Sequence, residues 1–413
     1  MNPIDASNHR FVSRLREEVE AWQQDGTVTA EQAQAILARY PDYEPGFEAS
    51  RRRQGLVTGL SILGGILIGL SVITFFAANW DEISRSVKLG SLIIGVLLSY
   101  GAGYVIWQRS GPTPYAVAFV LLGCIIYGAG VHLIGQIYHV PVNDPNLSLF
   151  WFLGVAPLAY VTRSRPVMFL AVVLFLAAVG FRQQEWLEGL DESEAGIAGL
   201  ILYVALGAFL FAVGKAKAHL DGWQSIGGLF QALGLLTAFA ALYILTFRDV
   251  FDDVDSISGA SLGYWALASG ASAVAVATLA WLAWQRAQAG DKSPLVFAEA
   301  GAVAVLLVTA LTAGLVPVDW EPLYPIVFNA LFALLALGLM ASGYLQEHEG
   351  RVNLSLAIIA LYVITRYFEY SISLLDSSLV FFGAGVILLG GGYLLDRGRR
   401  RMLVAMRERE GAP

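Results

Sequence analysis

Two charged side chains three residues apart, Arg366 and Glu369, lie inside a long apolar segment near the end of the chain. A charged group at the centre of a bilayer costs at least about 2.5–3.5 kcal/mol, so both should face a partner or a watery cavity. The i, i+3 spacing puts them on one helix face. Two interpretations stay open. The pair is a structural link between helices, or it is a substrate or proton site in which Arg366 holds an anion.

A second pair, Arg182 and Glu185, repeats this spacing nearer a segment end.

His132, Gln136 and His139 share one face of another apolar segment, the predicted span 115–138 and its end. Imidazole relays protons or binds metal near neutral pH. That segment has no carboxylate and no HExxH pattern, so we expect no metal site. We predict that His132 and Gln136 line a polar path or join helices by hydrogen bonds, and that His139 is interfacial.

Several classes of chemistry lack their usual signatures in this chain. The sequence has no GxxxxGK[ST] phosphate loop, no GxGxxG turn and no GxSxG elbow. Its one cysteine, Cys124, excludes an internal disulfide and a cysteine-based metal site. The net charge of −7 argues against nucleic acid as a partner. We therefore expect no cofactor and no catalytic residue; a third-ranked alternative is an intramembrane transferase with His132 or His139 as base.

Apolar helices must position these side chains. The chain is 56% hydrophobic and only 14% charged, whereas soluble domains are about a quarter charged. About 20 apolar residues in a helix cross a bilayer of about 30 Å. The sequence predicts an all-α polytopic membrane protein of about twelve spans. These spans are 56–78, 87–107, 115–138, 147–162, 166–187, 196–214, 224–246, 261–284, 295–315, 323–344, 353–373 and 378–395.

The cations predict the orientation of the spans. Lys and Arg concentrate on the cytoplasmic side of membrane proteins, and three arginines, at 51–53, directly precede the first span. The exits of the even-numbered spans are also rich in cations, so both termini should be cytoplasmic, in a bacterial inner membrane. These exit cations are Arg109, Arg163, Arg165, Lys215, Lys217, Arg286, Lys292, Arg351, Arg397, Arg399, Arg400 and Arg401.

Residues 1–50 predict a small cytoplasmic helical hairpin. Asp25 and Gly26 break its first helix, and Thr29 with Gln32 predicts a capping box that opens the second. Neither helix can bury its apolar stripe alone. We therefore expect residues 10–40 to pack on the membrane surface, on a second copy of the chain or on a protein partner.

The rest of the chain divides into two membrane halves, 51–215 and 216–396, and a basic cytoplasmic tail, 397–413. The second span ends in Trp107-Gln108-Arg109 and the eighth in Trp284-Gln285-Arg286. Together with the two Arg–Glu pairs, this echo predicts a parallel six-plus-six repeat. Chance matches in an apolar chain are the alternative.

Three stretches of the N-terminal half are distinctive: the hairpin from Trp22 to Tyr40, Ala77-Ala78-Asn79-Trp80, and Gly130 followed by Gly135-Gln136-Ile137-Tyr138-His139. In these stretches the chain resembles the domain of unknown function 2157 family of predicted bacterial membrane proteins. The resemblance covers about residues 15–180. It implies a bacterial cytoplasmic membrane and says nothing about a substrate.

Two functional hypotheses from different classes follow. A secondary transporter or small-molecule-binding permease would bring a small solute to the charged residues at membrane depth. A membrane scaffold or envelope sensor would use the N-terminal hairpin to dock a partner, and its intramembrane pairs would be structural. Access of water to those pairs would distinguish the two.

Overall fold

The structure is a computed structural model that describes most of the chain between residues 84 and 372. All regular structure among the described residues is helical, which confirms the predicted all-α class. They divide into two compact units, residues 1–130 and 131–413. The described residues are 15, 18, 19, 22, 23, 25–37, 59–71, 74–75, 84–251, 256–290, 295–316, 323–345 and 349–372.

Most of the described helices are long, and between residues 85 and 244 short turns connect them. Two 3₁₀ turns lie between the eighth and ninth helices. The helices are α1 Ala30–Leu37, α2 Gly59–Ser71, α3 Arg85–Ser110, α4 Pro114–Ile137, α5 Pro145–Thr162, α6 Arg165–Trp186, α7 Glu192–Ala218, α8 Gln224–Ile244, α9 Leu262–Gln288, α10 Leu295–Leu315, α11 Leu323–Leu345 and α12 Glu349–Ile372.

Nine of the described helices, α3 to α11, are long and apolar enough to cross a bilayer. They correspond to the second to tenth predicted spans. Helix α2 lies within the first predicted span, and α12 overlaps the eleventh. The twelfth span and the basic tail lie outside the described residues. Large apolar side chains such as Leu98, Val161 and Leu262 are mostly exposed, at 68%, 79% and 83%. Lipid would cover such a surface, so the chain is a polytopic membrane protein.

Local polar groups set where several helices begin. Thr29 and Gln32 form the predicted capping box, with the Thr29 N–H donating to Gln32 Oε1 at 3.0 Å. Asp144 accepts a hydrogen bond from the Asn146 N–H at 2.8 Å at the start of α5. These caps satisfy amides that have no partner within the helix.

In the first unit, α4 contacts α2 and α3 through glycines. A Cβ on Gly69 would lie 2.8 Å from Ile125 Cγ2, and one on Gly65 would lie 3.1 Å from the Ala118 carbonyl oxygen. On the other side, Gly123 lies directly under the ring of Tyr100. Small residues at such contacts let the helix backbones approach closely.

The second unit is built around α7. In the most apolar window of α7, 72% of the residues are buried, against at most 50% in the other candidate spans. Helices α8, α9 and α10 pack against it. Its Ile201, Leu202 and Leu206 are almost fully buried. The C-terminal end of α7 is therefore buried among other helices, and it carries one member of the principal charged pair, Lys215.

Candidate functional site

A partly buried ion pair joins α7 to α10, and its Glu299 side chain is 26% exposed. Lys215 is in the last turn of α7 and is only 5% exposed. Its Nζ donates to both carboxylate oxygens of Glu299, at 2.9 and 2.6 Å. The attraction between two desolvated ions offsets the free-energy cost of removing them from water only when their geometry is this close. Loss of either partner leaves an uncompensated charge.

A narrow cleft lies beside this pair, with a cavity volume of about 10 Å³. Arg286 from α9 lines it together with Lys215 and Glu299, and Leu279, Leu282, Ala283 and Ala300 supply apolar walls. Arg351 lies close enough to Lys215 for their charges to repel each other. Three cations thus surround one carboxylate, so the cleft has a net positive charge that favours an anion.

Arg351 also ties α12 to the same end of the unit. Its Nη2 donates to Gln231 Oε1 at 3.0 Å, and Gln231 Nε2 donates to the Gly214 carbonyl at 3.3 Å. Because α7 and α9 end here while α8, α10 and α12 begin here, the cations at these termini gather together. We call this the cation-rich end of the second unit. Its cations are Arg163, Arg165, Lys215, Lys217, Arg286 and Arg351.

Arg366 lies towards the opposite end, in a second polar cluster. Its Nη2 donates to Thr246 Oγ1, in the turn that follows α8, and the guanidinium lies 4.3 Å from the ring centre of Phe247. Asn329 of α11 donates to the Thr246 carbonyl at 2.7 Å and accepts a hydrogen bond from the Tyr362 hydroxyl. The cluster therefore connects α8, α11 and α12.

The predicted partner of Arg366 cannot be placed. Glu369 belongs to α12, but its side chain lies outside the described residues. Sequence spacing put Arg366 near the middle of its span. Its contact with Thr246, two residues past the end of α8, puts it nearer one end. Arg366 is 9% exposed, and the rings of Phe247 and Tyr362 flank its guanidinium. Such cation–π contacts stabilise a buried cation.

Arg182 and Glu185 form an ion pair, at 2.6 Å between Nη1 and Oε2. Arg182 Nη2 also donates to Asn146 Oδ1 at 2.8 Å, so it ties the end of α6 to the start of α5. The side chains are 28% and 48% exposed. In the described residues this pair and Arg366 belong to separate clusters.

His132 and Gln136 differ in their surroundings. The His132 ring contacts Trp151 of α5 edge-on, with ring centres 5.6 Å apart, whereas Gln136 is exposed. His139 has a left-handed backbone with φ of 59°, and its N–H donates to the Gln136 carbonyl at 3.1 Å as α4 ends. No group of three or more His, Cys, Asp or Glu within the described residues has the geometry of a metal site.

Sequence reasoning missed a close backbone contact between α7 and α8, two described helices of the second unit. A Cβ on Gly207 would lie 2.7 Å from the Gly234 carbonyl, and one on Gly214 would lie 2.8 Å from the Gly227 carbonyl. The signal is a seven-residue glycine spacing in both helices. This contact brings the α8 backbone within reach of the Lys215 region.

The chain resembles a known family over part of its length. Residues 20–168 match the family described as "Predicted membrane protein (DUF2157)", which confirms the resemblance predicted from the sequence. The match ends before Lys215, Glu299 and Arg366. No match was found among curated proteins or among solved structures.

Proposed function

We propose that the protein is a secondary transporter or small-solute permease, not an enzyme, and that its solute is an anion. One observation supports the proposal: the Lys215–Glu299 pair joins two apolar helices and lines a cleft together with Arg286, with Lys215 buried and Glu299 partly buried. Ionisable side chains within membrane helices commonly mark solute or proton pathways.

The chemistry of the cleft suggests an exchange of partners. An anion that enters competes with Glu299 for the ammonium of Lys215, and Arg286 adds a second donor. The released carboxylate then takes a proton or turns to water. When the anion leaves, the original pair forms again, so the empty protein does not retain a bare buried charge.

The Arg366 cluster supplies the opposite gate in this proposal. Its hydrogen bonds hold α8, α11 and α12 together, and they must break for that end to open. Alternating access then means that one polar cluster separates while the other stays closed. Arg182 with Glu185, and His132 with Gln136, would line the approach to this gate.

Thiol accessibility tests the proposal. Cysteines are introduced singly at Ala283, which lines the cleft, and at Thr246, in a Cys124→Ser background. Ala275→Cys is the matched control, because Ala275 is on the same helix as Ala283 and is fully buried. We expect a membrane-impermeant thiol reagent to label Ala283→Cys from one side and Thr246→Cys from the other.

The measurement is completed by anion flux into proteoliposomes, with Lys215→Met and Glu299→Gln as variants. We expect Lys215→Met to abolish flux. Failure to label positions 283 and 246 from either side, in a folded protein, would refute the transporter proposal.

A membrane scaffold is the second candidate, favoured by the tight glycine contact between α7 and α8. In that case both polar clusters only hold helices together. Residues 10–40 then dock a protein partner or a second copy, and Trp22, which is 37% exposed, offers an apolar anchor. Unlabelled cysteines at 283 and 246 are the outcome that a scaffold predicts.

We further propose that the protein lies in a bacterial cytoplasmic membrane with both termini inside. The gathering of six cations at one end of the second unit supports this orientation, because such cations concentrate on the cytoplasmic side. Labelling of Ala283→Cys from outside alone in intact cells would contradict it.

A further inference from the structure

Two cations gather around an aromatic pair at the cation-rich end, and none of these residues lines the cleft. Lys217 Nζ lies 4.2 Å from the ring centre of Trp223 and 4.6 Å from that of Tyr160. It also donates a hydrogen bond to the Tyr160 hydroxyl at 3.2 Å. Arg163 lies over the same Trp223 ring at 4.8 Å. The aromatic pair thus holds two cations side by side.

Arg165 extends this cluster along the start of α6. Its Nε donates to the Ser225 carbonyl at 3.1 Å, which ties α6 to the first turn of α8. Within the described part of the chain, Arg163, Arg165 and Lys217 form no ion pair with a carboxylate. Asp221, in the adjoining turn, is exposed. Two or more units of positive charge are therefore left without a counter-ion.

The surroundings of the cluster are apolar and exposed. Tyr160, Val161 and Leu220 are 52%, 79% and 54% exposed. A free inorganic anion would leave these side chains uncovered, whereas a phospholipid has a phosphate for the cations and acyl chains for the apolar residues. Basic pockets between helices at the cytoplasmic side suit anionic headgroups for this reason.

We propose that Arg163, Arg165 and Lys217 bind the phosphate of an anionic phospholipid, with Trp223 and Tyr160 holding the cations in place. Trp and Tyr prefer the headgroup level of a bilayer, so the ring pair fixes the depth of the site. The lipid then bridges the α5–α6 turn and the α7–α8 turn. A bound anionic lipid would thus stabilise the packing of α7, which carries Lys215, against α8.

Native mass spectrometry of the full-length protein in detergent tests the proposal, with phosphatidylglycerol, phosphatidylcholine or inorganic phosphate added. We expect preferential retention of phosphatidylglycerol. Each cation near an anionic surface contributes about 1 kcal/mol, which corresponds to about a five-fold change in affinity. Lys217→Gln should weaken retention about five-fold, while Lys217→Arg should preserve it.

Arg109→Gln is the matched control, because Arg109 is an exposed cation at the end of another helix. Equal weakening by Arg109→Gln and Lys217→Gln would overturn the site. Competition by millimolar inorganic phosphate would show a free-anion site instead of a lipid site. If Lys217→Gln melts early, Arg163→Gln and Arg165→Gln, at exposed positions, give the same test.

Discussion

Replacement of Gly214 by alanine should push α7 and α8 apart. The added Cβ would lie 2.6 Å from the Gln231 nitrogen and 2.8 Å from the Gly227 carbonyl, and both atoms belong to the backbone. Ordinary contact begins at 3.4 Å, so the helices must separate by about 0.8 Å. Strain of this kind costs about 1–3 kcal/mol.

Gly196→Ala is the control, because Gly196 lies on the same helix with open space around its Cβ position. Both variants gain about 1 kcal/mol of helix propensity. The difference between them therefore isolates the helix contact, and we expect Gly214→Ala to be the less stable by about 1–3 kcal/mol. The assay is unfolding of the purified protein by added dodecyl sulfate in mixed micelles, followed by tryptophan fluorescence.

Gly227→Ala tests the same contact from α8, since its Cβ would lie 2.7 Å from the Ala218 nitrogen. Once one substitution has separated the helices, the second should cost less, so the double variant should be less destabilised than additivity requires. Equal unfolding midpoints for Gly214→Ala and Gly196→Ala would refute the reasoning.

Two further predictions concern the cation-rich end. Lys215→Met alone should destabilise the protein by about 1–3 kcal/mol, because it leaves the partly buried Glu299 carboxylate without its partner. Adding Glu299→Met should recover most of that loss in the same assay; no recovery would mean that the pair is not coupled. His219 follows the end of α7, where loss of hydration, then repulsion from Arg286 and Lys215, lowers its pKa below the ordinary value of 6.5. The unfolded chain binds that proton more readily, so the contribution of His219 to stability is complete above about pH 6.5 and declines as the pH falls through the lower, folded-state pKa. His219→Gln should flatten that decline in melting temperature; an unchanged pH profile would contradict it.

The helices were predictable because hydropathy and capping are local properties. The Thr29–Gln32 box and the Arg182–Glu185 pair both join residues three positions apart. Nine predicted spans recur as helices of suitable length in the described residues. The six-plus-six repeat, the division into two membrane halves and the roles of the site residues stay predictions.

The long-range contacts were not predictable in the same way. Lys215 and Glu299 are 84 positions apart, and Arg366 and Thr246 are 120 apart. In the sequence, Lys215 indicated only the orientation of its span. Side-chain packing over whole helix faces decides which helices contact each other. A single charged residue in the sequence therefore does not predict its partner.

The buried thiol of Cys124 offers a way to measure local opening in the first unit. Cys124 is the one cysteine of the chain, its exposed fraction is 0%, and the Tyr100 hydroxyl lies 3.7 Å from its sulfur. A thiol reagent reaches this buried sulfur only when the helices around it separate. The rate of modification of the unaltered protein therefore reports how often the helices around Cys124 separate. Tryptophan fluorescence, followed in the same sample, would show whether the rest of the chain opens with them.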